Sequence, residues 1–338
     1  MKSILVTGGA GFIGSNLVRM LAREGKYSVV ILDALTYAGN LENIQDVVDG
    51  DAVRFVHGSI TDRALVGQLL SETAFDAILH LAAESHVDRS IASAAPFIET
   101  NVVGTLVLLE AAKSAGVRRF VHVSTDEVYG TLGPDDPAFT EETPIQPNSP
   151  YSASKAASDL LVRSFVHTHG MDAVITRCSN NYGPYQFPEK FIPLMTLNAM
   201  EDRALPVYGD GMQVRDWLHV EDHCRGIMLA YEQGVAGEVY NFGGFGEEKN
   251  IVVAKSILKH TGKDERLLSY VADRPGHDRR YAINPRKVQS ELGWTPEWNF
   301  EDGLRKTVEW YRTNSAWCEN VRSGEYRSYY KRQYEQRG

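Results

Sequence analysis

Three cysteines in 338 residues, Cys178, Cys224 and Cys318, are odd in number and far apart, which excludes a disulfide framework and a zinc ligand spacing. They are read as reduced thiols. Basic charge is also scarce: 35 Lys and Arg stand against 44 Asp and Glu, a net charge of −9. That balance gives no electrostatic footprint for nucleic acid or an anionic membrane, so an anionic ligand must be held by local groups. Long apolar runs are missing as well. Val102 to Ala112 is interrupted by Gly104, Thr105 and Glu110 and falls short of the ~20 residues that span a bilayer, so no transmembrane helix and no membrane partner are expected. Met1-Lys2 leads straight into a strand-like run without a small-residue cleavage site; the N-terminus is assigned to the fold and the protein to the cytoplasm. The ten histidines contain no H-E-x-x-H spacing, and His80, His86, His122, His219 and His223 fall on different predicted elements, so no metal is assigned.

What is present is alternation. Near-continuous apolar runs at Ile4–Val6, Val29–Leu32, Val53–Val56, Ala77–Leu79, Phe120–Val123 and Ala173–Ile175 predict strands covered on both faces. Helices are predicted between them near 12–24, 62–73, 93–115 and 150–169, the pattern of stacked βαβ units on a parallel sheet. Beyond about Tyr182 the alternation breaks into Pro- and Gly-punctuated segments with helices near 190–200, 220–233, 252–261 and 301–314, read as a smaller second module. The polar tail after Arg322 is left as a frayed end or a short docked helix. Parallel sheets bind ligands beyond the carboxyl ends of their strands, so the residues following each run are the candidates for function.

After the first strand comes Gly8-Gly9-Ala10-Gly11-Phe12-Ile13-Gly14, with glycines spaced at 8, 11 and 14 before a helix. Gly8 serves the tight turn, Gly11 the approach of a pyrophosphate and Gly14 close helix–sheet packing, while the helix N-terminus offers N–H groups to phosphate. Asp33 ends the second strand roughly 20 residues later, where a carboxylate takes the adenosine ribose hydroxyls. It would repel a 2′-phosphate, and the next residue is Ala34 rather than Arg, so NAD is predicted over NADP. The fold class is therefore α/β, a Rossmann-type doubly wound parallel sheet with a smaller C-terminal α/β substrate domain.

After the fifth strand stands Ser124-Thr125-Asp126-Glu127, and Tyr151 and Lys155 lie four apart at the start of a predicted helix, on one face. A phenol is a poor base at neutral pH, but a neighbouring ammonium and a cationic nicotinamide both favour phenolate. Tyr151 is thus placed to remove a proton from an alcohol. Two adjacent carboxylates can divide acid and base work if their environments separate their pKa values.

Together, the glycine turn, the Ser-Thr segment and Y-x-x-x-K resemble the extended short-chain dehydrogenase/reductases that act on nucleotide sugars. Within them, the segments Asp33–Asn40, Ala82–Ile91, Thr125–Glu127, Arg177–Pro184 and Arg274–Ala282 are similar to those of the dTDP-glucose 4,6-dehydratase family, over essentially the whole chain. The resemblance implies oxidation of dTDP-glucose at C4, loss of water across C5 and C6, and reduction at C6 by the same NAD. It implies Tyr151 and Lys155 for C4 oxidation, Glu127 as base at C5, Asp126 as acid at the C6 hydroxyl and Thr125 on the C4 oxygen. NAD contacts are implied at Gly8, Gly11, Phe12, Ile13, Gly14, Asp33, Ala34, Leu35, Thr36, Ser59, Ile60, Leu81, Ala82, Ala83, Thr100, Tyr151, Lys155 and Asn180. The dTDP-sugar is implied at Ser85, Thr125, Asn181, Lys190, Phe191, Pro206, Val207, Tyr208, Arg215, Asn250, Arg274 and His277. Residues 1–181 form the NAD-binding domain, with some later segments returning to it, and 182–338 mainly bind the nucleotide sugar.

Two departures stand out: Gly58-Ser59-Ile60 where Gly-Asp-Ile is expected near the adenine, and Ala34 in place of a more polar residue. Both bear on cofactor affinity. The apolar faces of 93–115 and 150–169, with Val102, Leu106, Leu109, Leu160 and Leu161, are either intramolecular core or the helix bundle of a homodimer, which the resemblance favours. A nucleotide-sugar 4-epimerase, a dehydratase of another nucleotide sugar and a silent NAD-binding regulator remain as alternatives. The acidic pair argues against the epimerase and the intact Thr125, Asp126, Glu127, Tyr151, Lys155 set against the regulator.

Overall fold

Six runs of β-branched and aliphatic residues form the interior of one sheet in a computed structural model that describes residues 1–273 and 277–322. These are β1 (Lys2–Thr7), β2 (Tyr27–Asp33), β3 (Val53–His57), β4 (Ala77–His80), β5 (Arg119–Thr125) and β6 (Ala173–Cys178). They pair in parallel in the order β3-β2-β1-β4-β5-β6. Strand order reverses between β1 and β4, which opens a crevice beyond their carboxyl ends.

The intervening helices are α1 (Phe12–Glu24), α2 (Arg63–Glu72), α3 (Val87–Ala92), α4 (Ala95–Phe97), α5 (Thr105–Ala115) and α6 (Pro150–His169). Their ends are treated differently. At α6 Ser149 and Ser152 form a reciprocal capping box, with Pro150 in the first turn and Gly170 closing the helix in the left-handed conformation. At α1 the N-cap is Gly11, with no side-chain cap and no acidic residue in the first turn, so the leading N–H groups stay available to a ligand.

The second half supplies β7 (Asn180–Tyr182), α7 (Phe191–Met200), β8 (Leu205–Tyr208), β9 (Val214–His219), α8 (Val220–Gln233), β10 (Val239–Phe242), β11 (Glu247–Lys249), α9 (Asn250–Thr261), β12 (Leu268–Val271), α10 (Arg286–Leu292), α11 (Phe300–Thr313) and α12 (Ser315–Val321). β10 returns to the large sheet as a seventh parallel strand beside β6. The sheets β11-β9-β7 and β12-β8 lie outside it. One apolar core joins the sheet to α1, α8 and α10, through Leu17, Leu21, Ile227 and Val288. Another joins it to α2, α5 and α6, through Leu69, Leu108 and Val162. A third unites Ile192, Met195, Trp217, Ile257 and Leu304 around the smaller sheets.

α4 and α5 run on through a π-helical stretch, Ile98–Gly104, as one 21-residue helix, Ala95–Ala115. By length and composition alone this helix could cross a membrane, which the run-length reading did not anticipate because polar residues interrupt the apolar positions. Val107, Leu108, Leu109 and Ala112 instead pack into the core against the sheet. Leu109 is therefore intramolecular core, whereas Ile98 and Leu160 on α6 are exposed and Val102, Leu106 and Leu161 half-buried.

Candidate active site

The crevice at the carboxyl ends of the strands is a cleft of about 310 Å³. The glycine turn forms its floor. A Cβ at Gly14 would stand 2.1 Å from the Gly8 carbonyl oxygen, and one at Gly8, where φ is +70°, would stand 2.7 Å from Ala82 Cα. At Gly11 the nearest approach is 3.2 Å, so this glycine keeps a surface low rather than filling a contact. Asp33 accepts hydrogen bonds from Ala10 N–H (2.9 Å) and Leu35 N–H (2.8 Å). Burial raises its pKa and these two donors oppose that rise. The uncapped N–H groups of α1, the low surface at Gly11 and this oriented carboxylate fit a dinucleotide.

Of the residues assigned to the cofactor, Gly8, Gly11, Phe12, Ile13, Gly14, Asp33, Ala34, Thr36, Ser59, Ile60, Leu81, Ala82, Ala83, Thr100, Tyr151, Lys155 and Asn180 all line the cleft. Leu35 does not: its side chain packs on the core behind β2, and only its backbone N–H serves the site, through Asp33. Ser59 turns its hydroxyl to Thr61, 2.8 Å from that hydroxyl, and accepts the Thr61 N–H at 3.1 Å. Asn180 Oδ1 is buried without a hydrogen-bond partner among the described residues.

Thr125, Asp126, Glu127, Tyr151 and Lys155 line the same cleft. β5 ends at Thr125 and a short 3-10 turn carries both acids; the Thr125 hydroxyl accepts the Glu127 N–H at 3.2 Å and stands 3.3 Å from Asp126 Oδ1. Asp126 Oδ2 is buried with no partner. Burial first, then the charges of Glu127 and Asp216, push the Asp126 pKa well above the usual carboxylate range, against the pull of Arg215 and Thr125. Burial and its acidic neighbours thus favour the protonated form of Asp126.

Tyr151 departs from expectation. Burial, followed by the Glu127 charge, holds its phenol well above its ordinary pKa, with a Thr125 hydrogen bond pulling the other way. Protein charges alone do not produce the phenolate. Lys155 Nζ donates to the Val123 carbonyl (2.9 Å), and burial brings its pKa down to about 8 while Asp159 and Cys178 oppose the fall.

The residues assigned to the dTDP-sugar divide. Ser85, Thr125, Asn181 and Lys190 line the cleft, with Lys190 Nζ bonded to the Ser85 carbonyl at 2.9 Å. The others stand apart from its lining. Phe191 stacks on Trp217, and Pro206 and Val207 lie within β8, Val207 fully buried. Tyr208 donates to Asp88 (3.2 Å), and His277 Nδ1 is 2.6 Å from Asp273 and 3.3 Å from Gln213 Nε2. Asn250 opens α9 with its Oδ1 buried and unpartnered. Arg215 is buried 4.4 Å from the Tyr281 ring and donates to the Val214 and Asp278 carbonyls, yet its charge reaches Asp126. Arg274 lies outside the described residues.

Sequence reasoning missed Glu84, Ser124, Cys178, Ser179, Gln186 and Glu189 in the cleft wall, and Asp216 behind the acids. Ser124 and Cys178 were findable as residues at strand carboxyl ends; Asp216 was not, because it nears Asp126 only through tertiary folding. The histidines are engaged within the fold. His80 sits between the Thr7 and Thr105 hydroxyls at 2.8 and 2.9 Å, His122 contacts Ser158, His86 faces Glu189, His219 packs on Trp298 and His223 bonds Asn181.

The family described as GDP-mannose 4,6 dehydratase matches residues 5–307. The dTDP-glucose 4,6-dehydratase of Shigella flexneri is 53% identical over 99% of each chain. Among solved structures, the dTDP-glucose 4,6-dehydratase of Streptomyces venezuelae, crystallised with NAD bound, superimposes with a TM-score of 0.91 at 52% identity, covering 94% of this chain and 99% of that one. The UDP-glucose 4-epimerase of Thermotoga maritima shares the fold at TM-score 0.87 and 32% identity, covering 93% and 99%.

Proposed function

The chain belongs to the dTDP-glucose 4,6-dehydratases, and on that premise we propose how its own residues divide the conversion of dTDP-glucose to dTDP-4-dehydro-6-deoxy-D-glucose. It is an NAD-dependent lyase. The observation that carries the proposal is Asp126, buried in the cleft beside Glu127 and Tyr151 with one carboxyl oxygen unpartnered among the described residues and its pKa pushed up by burial and the neighbouring acids. Transfer of hydride alone, as in an epimerase, gives no task to a neutral carboxylic acid at this point; elimination of water does.

Held by the glycine turn, the uncapped N-terminus of α1 and Asp33, bound NAD would supply a reversible hydride store, so that oxidation at C4 and reduction at C6 leave no net redox change. Tyr151 accepts the C4 hydroxyl proton. It does so as the phenolate, a form that burial disfavours and that the Lys155 ammonium on the same helical face and a bound cationic nicotinamide would favour. Thr125 hydrogen-bonds the C4 oxygen. The ketone acidifies C5–H, Glu127 takes that proton, and Asp126 passes its proton to the C6 hydroxyl, which leaves as water. Glu127 then returns its proton to C5 as C6 is reduced.

Lys190 and Arg215, with Arg274, supply the cations for the diphosphate, a role suited to guanidinium and ammonium groups in an acidic protein. Residues 1–181 serve the cofactor and 182–338 mainly the nucleotide sugar. The chain works in the cytoplasm as a homodimer, and exposed Ile98 and Leu160 support pairing of α5 and α6 with those of a second copy.

Purified protein incubated with dTDP-glucose and no added cofactor is expected to form the 4-keto-6-deoxy product. UDP-, CDP- and GDP-glucose serve as comparisons, and epimerisation without a keto product would overturn the reading. In single turnover, Tyr151→Phe is expected to slow C4 oxidation by roughly 10²–10⁴-fold. Glu127→Gln leaves C4 oxidation in place and slows elimination; equal loss of both steps would refute the division of labour.

A further inference from the structure

Helix α6 carries a third charged residue in step with Tyr151 and Lys155. Asp159 follows Lys155 at the same interval of four, so the three lie along one stripe of the helix. Asp159 is only 1% exposed, one helical turn along from Lys155, and is not among the residues lining the cleft. It is gripped from β6, where Arg177 Nε donates to Oδ2 at 2.8 Å; Oδ1 stands 3.4 Å from His122 Nε2 on β5 and has no hydrogen-bond partner among the described residues, His122 bonding the Ser158 hydroxyl instead. Arg177 is itself anchored, donating to the Tyr129 hydroxyl at 2.9 Å, which donates in turn to Asn241 on β10 at 2.9 Å.

A buried carboxylate–guanidinium pair is seldom worth its desolvation in stability. Here it fixes an anion behind a buried ammonium. The titratable groups around Lys155 are His80 on β4, His122 on β5, Cys178 on β6, and Tyr151 and Asp159 on α6 itself. Burial drives His80 and His122 toward the neutral imidazole and raises the Cys178 and Tyr151 pKa values, so that before NAD and substrate bind none of the four offsets the Lys155 charge as Asp159 does. Asp159 remains charged: burial works against it, but Arg177 and His122 more than offset that, and its pKa is lowered. Its charge is the largest influence opposing neutralisation of Lys155.

We propose that Asp159 is a positioning residue for C4 oxidation, a fixed counter-charge that keeps the Lys155 side chain an ammonium facing Tyr151. Arg177 holds that carboxylate in place. The proposal rests on the assignment of Tyr151 and Lys155 to the hydride step.

The test is the pH profile of C4 oxidation, measured in single turnover with the NAD-bound enzyme and dTDP-glucose. Loss of the Lys155 proton sets the alkaline limb. Asp159→Asn removes the opposing charge, so the limb is expected to move down by about 1 pH unit or more, with about tenfold loss on its slope and little change near pH 6. Asp159→Glu is expected to restore the limb in part. Asp159→Asn strands the Arg177 charge, which itself disfavours the Lys155 ammonium, so the double variant Asp159→Asn/Arg177→Gln, which removes both buried charges, is measured beside it and should show a smaller displacement in the same direction. An unmoved limb in either folded variant, or a loss equal at every pH, would overturn the proposal. Absence of turnover by the unchanged enzyme would overturn both this and the dehydratase reading, whereas turnover with an unmoved limb overturns this one alone.

Discussion

Two aspartates stand at the same rim of the sheet and meet opposite fates. Asp33 closes β2 and Asp126 follows β5; both are buried, at 8% and 2% exposure. Asp33 receives two backbone N–H groups and faces no close carboxylate among the groups that shift it. Asp126 has one long hydroxyl contact, one oxygen without a partner, and two acids, Glu127 and Asp216, against it. Burial raises both pKa values, but only at Asp126 do the neighbours add to the rise. The sheet therefore delivers aspartates to the crevice without deciding what they do. Backbone donors make one an acceptor for hydroxyl groups, and their scarcity makes the other a proton donor.

The comparison breaks most visibly at Asp126. Asp126→Asn is expected to slow elimination roughly 10²–10⁴-fold while C4 oxidation persists, followed by rapid-quench separation of the intermediates. A substrate with a better leaving group at C6 should recover much of the loss; no recovery would deny Asp126 its role as acid. At the other end, Asp33→Asn is expected to weaken NAD binding by about tenfold by titration calorimetry and to narrow the preference over NADP.

Acidity separates the two ends by sign. Asp126 has a raised pKa, so its proton is available below that value and elimination declines as pH climbs through it. Asp33 must be an anion to serve the ribose, so NAD affinity declines on acidification, beginning at a higher pH than for an ordinary aspartate. Elimination rates and NAD binding measured across one pH series should slope in opposite directions at the two extremes. The smallest effect is expected at Ser59→Asp, which restores a carboxylate near the adenine and should tighten NAD by about threefold.

Much of the first half was legible in the residues. Strands covered on both faces leave unbroken apolar runs, and Ile4–Val6 and Val29–Leu32 lie inside β1 and β2 as expected. The predicted helix 150–169 coincides with α6 because Ser149, Pro150 and Gly170 mark its ends chemically. β10 escaped because four residues, Val-Tyr-Asn-Phe, carry no period and find their partner at β6 far upstream. Within the site, residues at strand ends were readable, since the crevice must lie there. The state of Tyr151 was not: a helical spacing reveals the ammonium four residues away but not the burial that outweighs it. Tyr281, packed on Arg215 and sensing the Glu127 charge, belongs to the same class, assembled by folding over a long sequence separation.

β10 has one more consequence. As the chain leaves the ribosome, everything up to β6 is made while the sheet still ends in an unpaired strand with open N–H and C=O groups. The edge is covered only once residues 239–242 arrive, after α7, β8, β9 and α8 have been threaded across. A fragment cut after Cys178 would leave β6 as a bare flank, so the first half of the chain depends on the second to finish its sheet.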